Sequence, residues 1–108
     1  MNQELITLNE VFNSGNTIYF YNDEITATWV TFGYSAYLLS RFDNITCLAT
    51  YSNPMQMPCV TLSEAEFKKL LVAHRDSFTA GDSGYLMSVA TQVDQTQYQA
   101  WVQGLRKE

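Results

Sequence analysis

The sequence predicts a single α+β domain spanning residues 1–108, in which an antiparallel β-meander of three to five strands carries two C-terminal amphipathic helices on one face. Three observations favour this two-layer fold. Hydrophobic residues recur with period two in the first half of the chain, which is typical of strands. After residue 62 they recur at helical spacing. The 108 residues include seven Tyr, six Phe and two Trp, which supply enough apolar surface for one core.

The first element is predicted to be a short helix. Thr7 and Glu10 have the spacing of a capping box, in which each side chain bonds the other residue's backbone amide. Gly15 is typical of a residue that ends a helix. The apolar positions between these signals are Leu8, Val11 and Phe12.

Two strands are expected next. Residues 18–21 and 25–32 alternate in the manner of a half-buried sheet and are rich in β-branched and aromatic side chains. The polar pair Asn22 and Asp23 predicts the turn between them.

Residues 34–42 have two interpretations. Their alternation favours a third strand, which a turn at Asp43 and Asn44 would join to a fourth strand over residues 45–51. A helix is the alternative, because four residues recur at helical spacing. These residues are Tyr34, Tyr37, Leu38 and Arg41.

The remaining segments before the last helix follow from turn residues and caps. Pro54 and Pro58 predict a loop over residues 52–58, because neither proline has an N–H to donate. Residues 77–84 are rich in Gly, Ser and Asp and predict another loop, which precedes a strand over residues 85–91.

Two amphipathic helices complete the chain. Ser63 and Glu66 form a second capping box, and Asp94 with Gln97 marks the start of the last helix. The first helix has its apolar stripe at Phe67, Leu70, Leu71 and His74, and the second at Tyr98, Trp101, Val102 and Leu105.

The net charge of −5 excludes some classes of function. A protein that tracks the nucleic-acid backbone needs a stripe of Lys and Arg, which this chain lacks, and an anionic membrane surface is disfavoured for the same reason. Residues 1–4 lack the basic and apolar regions of a signal peptide. We therefore expect a cytoplasmic protein with reduced cysteines.

Catalytic and metal-binding patterns are weak. Cys47 and Cys59 lie twelve residues apart and His74 is the sole imidazole, so we expect no metal and no cofactor. A Cys–His nucleophilic pair is conceivable, but His74 fits a structural role at the end of a helix. Residues 81–84 resemble the tetrapeptide around the nucleophile of trypsin-like serine proteases, but a turn explains these four residues. We expect no enzyme activity.

The predicted site is an exposed surface of aromatic and acidic side chains on the meander. Tyr and Trp dominate binding hot spots, and residues 1–62 carry a net charge of −4. The site comprises Tyr19, Tyr21, Asp23, Glu24, Trp29 and Tyr37.

This surface predicts a function in binding another protein that has a basic patch. Small inhibitor, immunity and adaptor proteins, including those carried by phages and mobile elements, have this size and acidity. The alternative is a small-ligand-binding or sensor domain with an apolar, aromatic-lined pocket. The oligomeric state is left open by the sequence.

Overall fold

A computed structural model describes residues 3–42, 49–81 and 84–106. It confirms the α+β class: one six-stranded antiparallel sheet is combined with four α-helices in the described part of the chain. The elements in chain order are α1 (Gln3–Val11), β1 (Thr17–Asp23), β2 (Thr28–Phe32), α2 (Gly33–Ser40), β3 (Ala49–Ser52), β4 (Met57–Ser63), α3 (Glu64–Ala73), a 3-10 turn (Arg75–Ser77), β5 (Phe78–Ala80), β6 (Gly84–Ser88) and α4 (Gln95–Arg106).

The sheet is built from three hairpins rather than from a simple meander. Its strand order is β3-β4-β2-β1-β6-β5, so the β1–β2 hairpin lies at the centre and the other two flank it. The β1–β2 register places Tyr21 opposite Val30 and Asn22 opposite Trp29. Residues opposite each other share a face, so Tyr21 and Trp29 lie on different faces of the sheet.

One face of the sheet carries the larger hydrophobic cluster, called here the major core. Strand residues of this face pack against Phe67 and Leu70 of α3, and against the buried side of α2. Three ring pairs make its centre: Trp29 stacks on Phe67 at 4.1 Å between centroids, while Phe20 contacts Phe67 at 5.2 Å and Phe78 at 5.5 Å. The strand residues are Ile18, Phe20, Trp29, Val60, Leu62 and Met87.

The opposite face carries a smaller cluster, called here the α1-side core. Ile6 of α1 packs there against Tyr21, Val30 and Phe32. The sheet therefore has helices on both faces, so the predicted two-layer arrangement is wrong, although both C-terminal helices border the major core as expected. The period-two pattern did not reveal this, because strands that are buried on both faces lose their polar positions. The sheet also has six strands in place of the predicted three to five.

Residues 34–42 form a helix, not the strand that alternation favoured. Gly33, at φ +59°, directly follows β2 and begins α2. Six of the eight residues of α2 are buried, so this helix shows no polar face. A helix that is buried all round lacks the amphipathic signal, and its apolar run looks like a strand.

Helix α2 also replaces β2 as the neighbour of β1. The pairing of β1 with β2 reaches only to Tyr21, and nearer the start of β1 the backbone N–H of Tyr19 donates to Ser35 Oγ at 2.9 Å. This contact satisfies a strand donor that would otherwise lack a partner. Helix α2 is thereby fixed in the middle of the domain.

The two predicted loops are partly wrong. The chain does turn over residues 53–56, but β4 begins at Met57 and includes Pro58, which lies opposite Tyr51 of β3. Strand β5 lies within the predicted loop over 77–84. The predicted turn at Asp43 and Asn44 falls outside the described residues, as do the first four residues of the strand predicted at 45–51.

The later helix caps are confirmed. Both bonds of the second capping box are present: the Glu66 amide donates to Ser63 Oγ at 3.1 Å, and the Ser63 amide donates to Glu66 Oε1 at 3.0 Å. Asp94 precedes α4, and its Oδ1 accepts from the Gln97 amide in the first turn of that helix at 3.1 Å. The capping box at Thr7 is wrong, because α1 begins at Gln3.

Helix α4 packs differently from α3. It lies beside β3 and β4, where Trp101 contacts the Tyr37 ring of α2 at 5.2 Å and reaches the margin of the major core. No residue of α4 is fully buried. In the part of the chain that is described, no helix has the length and apolar character needed to cross a bilayer.

Candidate interaction surface

The predicted aromatic surface does not exist as one exposed patch. Trp29 is only 9% exposed, because it lies in the major core and its Nε1 donates to Glu64 Oε2 at 2.9 Å. The turn of the central hairpin covers residues 24–27 instead of residues 22 and 23. In the observed register Trp29 lies opposite Asn22, on the face that also carries Phe20, and not on the face of Tyr19 and Tyr21.

Tyr37 and Tyr21 are also buried. Tyr37 lies in α2, where its ring contacts Tyr98 and Trp101 of α4. Tyr21 lies under α1 and its hydroxyl accepts a hydrogen bond from Asn9 Nδ2 at 3.1 Å. The prediction that these tyrosines are exposed is wrong.

The other three predicted residues keep some exposure but do not form a patch with the buried ones. Tyr19 is half-buried on the α1 side of the sheet. Asp23 ends β1, and its Oδ1 accepts from the Ile25 amide at 3.1 Å, which gives it a local role in the turn. Glu24 is exposed in the same turn.

An exposed apolar surface lies instead on α1. Leu8, Val11 and Phe12 are 53%, 70% and 77% exposed, and the Phe12 amide still donates to the Leu8 carbonyl at 3.1 Å. We call these three residues the α1 ridge. Side chains at positions i, i+3 and i+4 lie on one side of a helix, so the ridge is continuous.

On the other side of α1, two of the nine helix residues are buried, Ile6 and Glu10. Spaced four apart, they point into the domain together while the ridge points away. The ridge is therefore an apolar side of α1 that lacks a partner within the described residues. The sequence contained this signal, since all three ridge residues are apolar in a segment with few other hydrophobic positions.

A groove of about 230 Å³ runs between α1 and the β1–β6 part of the sheet. Its lining includes Leu5 and Asn9 of α1, Tyr19 and Tyr21 of β1, and Leu86 of β6. The groove is partly open and contains both aromatic carbon and polar atoms. It lies on the same side of the sheet as the α1 ridge.

Glu10 forms a buried polar junction between α1 and α2. Its Oε1 accepts from the Ser35 amide at 3.2 Å and its Oε2 lies 2.6 Å from Ser35 Oγ. Asn13 Nδ2 lies 3.4 Å from Oε1 and also donates to the Thr17 carbonyl at 2.8 Å. These bonds join the end of α1, the start of β1 and the first turn of α2.

Burial raises the pKa of Glu10 to about 7, and the hydrogen bonds from Ser35 and Asn13 oppose this shift. The amides of the first turn of α2 favour a negative charge, so the carboxyl lies where a helix would accept one. Phe32, the N-cap of α2, makes no side-chain cap bond. Glu10, which lies on α1, caps the helix instead by accepting from the Ser35 amide.

Cys59 and His74, the thiol and the imidazole that the structure describes, are not brought together as a metal site. Cys59 is a free, half-buried thiol on the α1 side of the sheet, and burial raises its pKa. His74 caps α3 and its ring contacts Phe42 at 4.9 Å. Among the described residues no three His, Cys, Asp or Glu side chains cluster as metal ligands, and Cys47, Asp82 and Ser83 lie outside them.

Comparison of this chain with protein-family models, with curated proteins and with solved structures finds no match.

Proposed function

We propose that this protein is a non-catalytic binding module that inserts the α1 ridge into an apolar groove of another protein. The observation that carries the proposal is the exposure of three large apolar side chains, Leu8, Val11 and Phe12, on one side of α1. Exposed apolar side chains that are contiguous mark interaction sites far more often than scattered ones do.

The geometry of the ridge favours recognition through a helix. Proteins that bind an amphipathic helix in a groove read side chains at i, i+3, i+4 and i+7, and the ridge supplies the first three of these positions. A ridge of three side chains is small beside the roughly 800 Å² that each partner buries in a standard interface. Insertion into a groove buries such a ridge on both flanks, which a flat contact would not.

The charge around the ridge favours a partner with basic residues at the rim of its groove. Glu4 is the exposed charged side chain of α1, and the whole chain carries a net charge of −5. Opposite charge at a rim accelerates association, while the apolar anchors supply most of the affinity. Inhibitor, immunity and adaptor proteins act by such stoichiometric binding.

The test begins with a photo-crosslinking amino acid at Val11, introduced in the cells that produce the protein. The partner that it captures is purified, and its affinity for Leu8→Ser and Phe12→Ser is measured by calorimetry. We expect each substitution to weaken binding by about tenfold or more, which is the loss of roughly 1.4 kcal/mol.

The chain offers two matched controls for surface apolarity. Val72 of α3 and Ile25 of the central turn are 74% and 96% exposed but lie outside the ridge. Val72→Ser and Ile25→Ser should leave the affinity within about twofold of the parent. Equal losses from control and ridge variants, or a crosslink only to a second copy of the chain, would contradict the proposal.

The groove beside α1 favours a second candidate, a domain that binds a small ligand. Its aromatic lining suits a flat apolar molecule, although about 230 Å³ is smaller than the 300–1,000 Å³ of typical ligand sites. Leu86→Trp should fill the groove. If a screened ligand raises the melting temperature of the parent but not of this variant, the groove is the site.

A further inference from the structure

Glu10 is the side chain that ties α1 to the centre of the domain. Glu10 is 8% exposed, and its carboxyl bonds the amide and hydroxyl of Ser35 in the first turn of α2. Ser35 Oγ in turn accepts from the Tyr19 amide of β1. One carboxyl thus connects the helix that bears the ridge with α2 and the central strand.

The groups that face Glu10 offer it no countercharge. Tyr21 on β1 and Tyr98 on α4 are the titratable groups near enough to feel its charge, and burial raises the pKa of both hydroxyls, so they stay neutral. Cys59 on β4 belongs to the same side of the sheet and also stays neutral. No Lys or Arg of the described residues forms an ion pair with Glu10.

Little else holds α1 in place. Ile6 is its sole fully buried apolar side chain, and Asn9 adds one hydrogen bond to the Tyr21 hydroxyl. The connection to β1 passes through Gly15, at φ +92°, whose amide bonds Asn13 Oδ1. A short helix with one buried apolar anchor depends on its tertiary contacts to persist.

We propose that Glu10 is a proton-operated latch: with its carboxyl protonated α1 is seated on the sheet, and release of the proton to solvent loosens α1. An ionised carboxylate without a cation is costly in a buried site, whereas the protonated group can donate to Ser35 Oγ and still accept from the Ser35 amide. Because burial raises the pKa of Glu10 to about 7, the latch works near neutral pH.

The regulatory consequence rests on the proposed function of the α1 ridge. A seated helix presents Leu8, Val11 and Phe12 in a fixed arrangement, while a loosened helix must be ordered again on binding. The ridge should therefore bind its partner more tightly at pH 6 than at pH 8.

The test of the latch uses the free protein, so its outcome is independent of the partner. NMR measures the backbone order of α1 by heteronuclear NOE at pH 5.5 and 8.5, and the carboxyl carbon shift of Glu10 across this range. We expect α1 to lose order as the pH rises, with the carboxyl titrating near pH 7. Glu10→Gln, which cannot ionise, should keep α1 ordered at both pH values.

Glu4→Gln is the matched control, because Glu4 is an exposed glutamate on the same helix. It should reproduce the loss of order of the parent. The latch is contradicted if α1 is equally ordered at both pH values, if the Glu10 carboxyl titrates near its ordinary pKa of 4.5, or if Glu10→Gln loosens with pH as the parent does. These measurements use the free protein, so they would be unchanged if the ridge bound no partner and the proposed function failed.

Discussion

The two faces of the sheet are built on opposite principles. The major core is apolar except for the buried hydroxyl of Thr31, which donates to the Val60 carbonyl, and its rings and aliphatic side chains are held between the sheet, α2 and α3. The α1 side has a small apolar cluster, a buried carboxyl, an open groove and an exposed hydrophobic ridge. Stability thus comes mainly from one face, which leaves the other free to carry groups that a stable core would exclude.

The largest expected effect lies in the major core. Phe67 contacts the rings of Phe20, Trp29 and Phe78, so Phe67→Ala removes the centre of the aromatic cluster. We expect the free energy of unfolding to fall by about 3–5 kcal/mol, measured by urea denaturation. Val72→Ala on the exposed side of α3 should change it by less than about 0.5 kcal/mol. Similar losses from both variants would show that α3 does not close a core.

The next effect lies on the α1 side and depends on pH. The pKa of Glu10 is about 7 in the folded chain and 4.5 by its ordinary value, so the folded chain holds a proton that the unfolded chain releases between these pH values. The contribution of Glu10 to the free energy of unfolding should be highest below pH 4.5 and should fall by about 3 kcal/mol as the pH rises to 7.

Glu10→Gln isolates this contribution. Its free energy of unfolding should not show the fall, as measured by urea denaturation at pH 5 and pH 8. Glu66, whose pKa is lowered by the Ser63 amide, titrates in both proteins and cancels in the comparison. A parent and a variant with parallel pH profiles would remove Glu10 as the pH-sensitive group.

A smaller effect is expected at the cap of α3. Ser63→Ala removes the acceptor for the Glu66 amide in the capping box and should destabilise the protein by about 1 kcal/mol. Thermal denaturation of both proteins at one pH measures this loss. Ser88→Ala, at an exposed position of β6, provides a control that should be nearly neutral.

The smallest effect on stability is expected at the α1 ridge. Phe12→Ser replaces a side chain that is mostly exposed, so the free energy of unfolding should change by less than about 0.5 kcal/mol. Urea denaturation of Phe12→Ser and of Phe67→Ala compares the free energy of unfolding lost at an exposed phenylalanine with that lost at a buried one. A loss of more than about 2 kcal/mol would show that the ridge belongs to a core.

Two helix starts and two strand segments that local chemistry decides were predicted from the sequence, whereas the capping box at Thr7 and the turn at residues 22 and 23 were not confirmed. The capping box of Ser63 and Glu66 formed as expected, and so did the helices that follow residues 63 and 94. Each depends on residues within four positions of one another. The strand predicted over residues 18–21 is confirmed, and the one predicted over residues 25–32 is confirmed for residues 28–32, because β-branched and aromatic side chains dominate both.

The predicted exposed surface failed because it grouped side chains that lie on opposite faces of the sheet. Tyr21 lies opposite Val30, so Trp29 lies on the other face, in the major core. Trp29 is covered there by Phe67 of α3, and Tyr21 is covered by Ile6 of α1. Neither contact is local in the sequence.

Helix α2 and Glu10 illustrate a second limit. A helix buried on all sides has no polar stripe to reveal it, and a glutamate in a short helix is expected in solvent. Glu10 is buried because Ser35 of α2 offers it an amide and a hydroxyl, and Ser35 lies 25 residues away in the sequence. Ser35, the partner that makes the burial of Glu10 favourable, is identified only once the fold is known.

Native-state hydrogen exchange at pH 7 tests the central claim most directly, because it measures the opening free energy of each backbone amide in one sample. The account predicts that amides of α1 open with a free energy at least about 2 kcal/mol below those of β1, β4 and α3, which should exchange only through global unfolding. Equal opening free energies for α1 and the central strands would contradict it, since the two faces would then unfold as one unit.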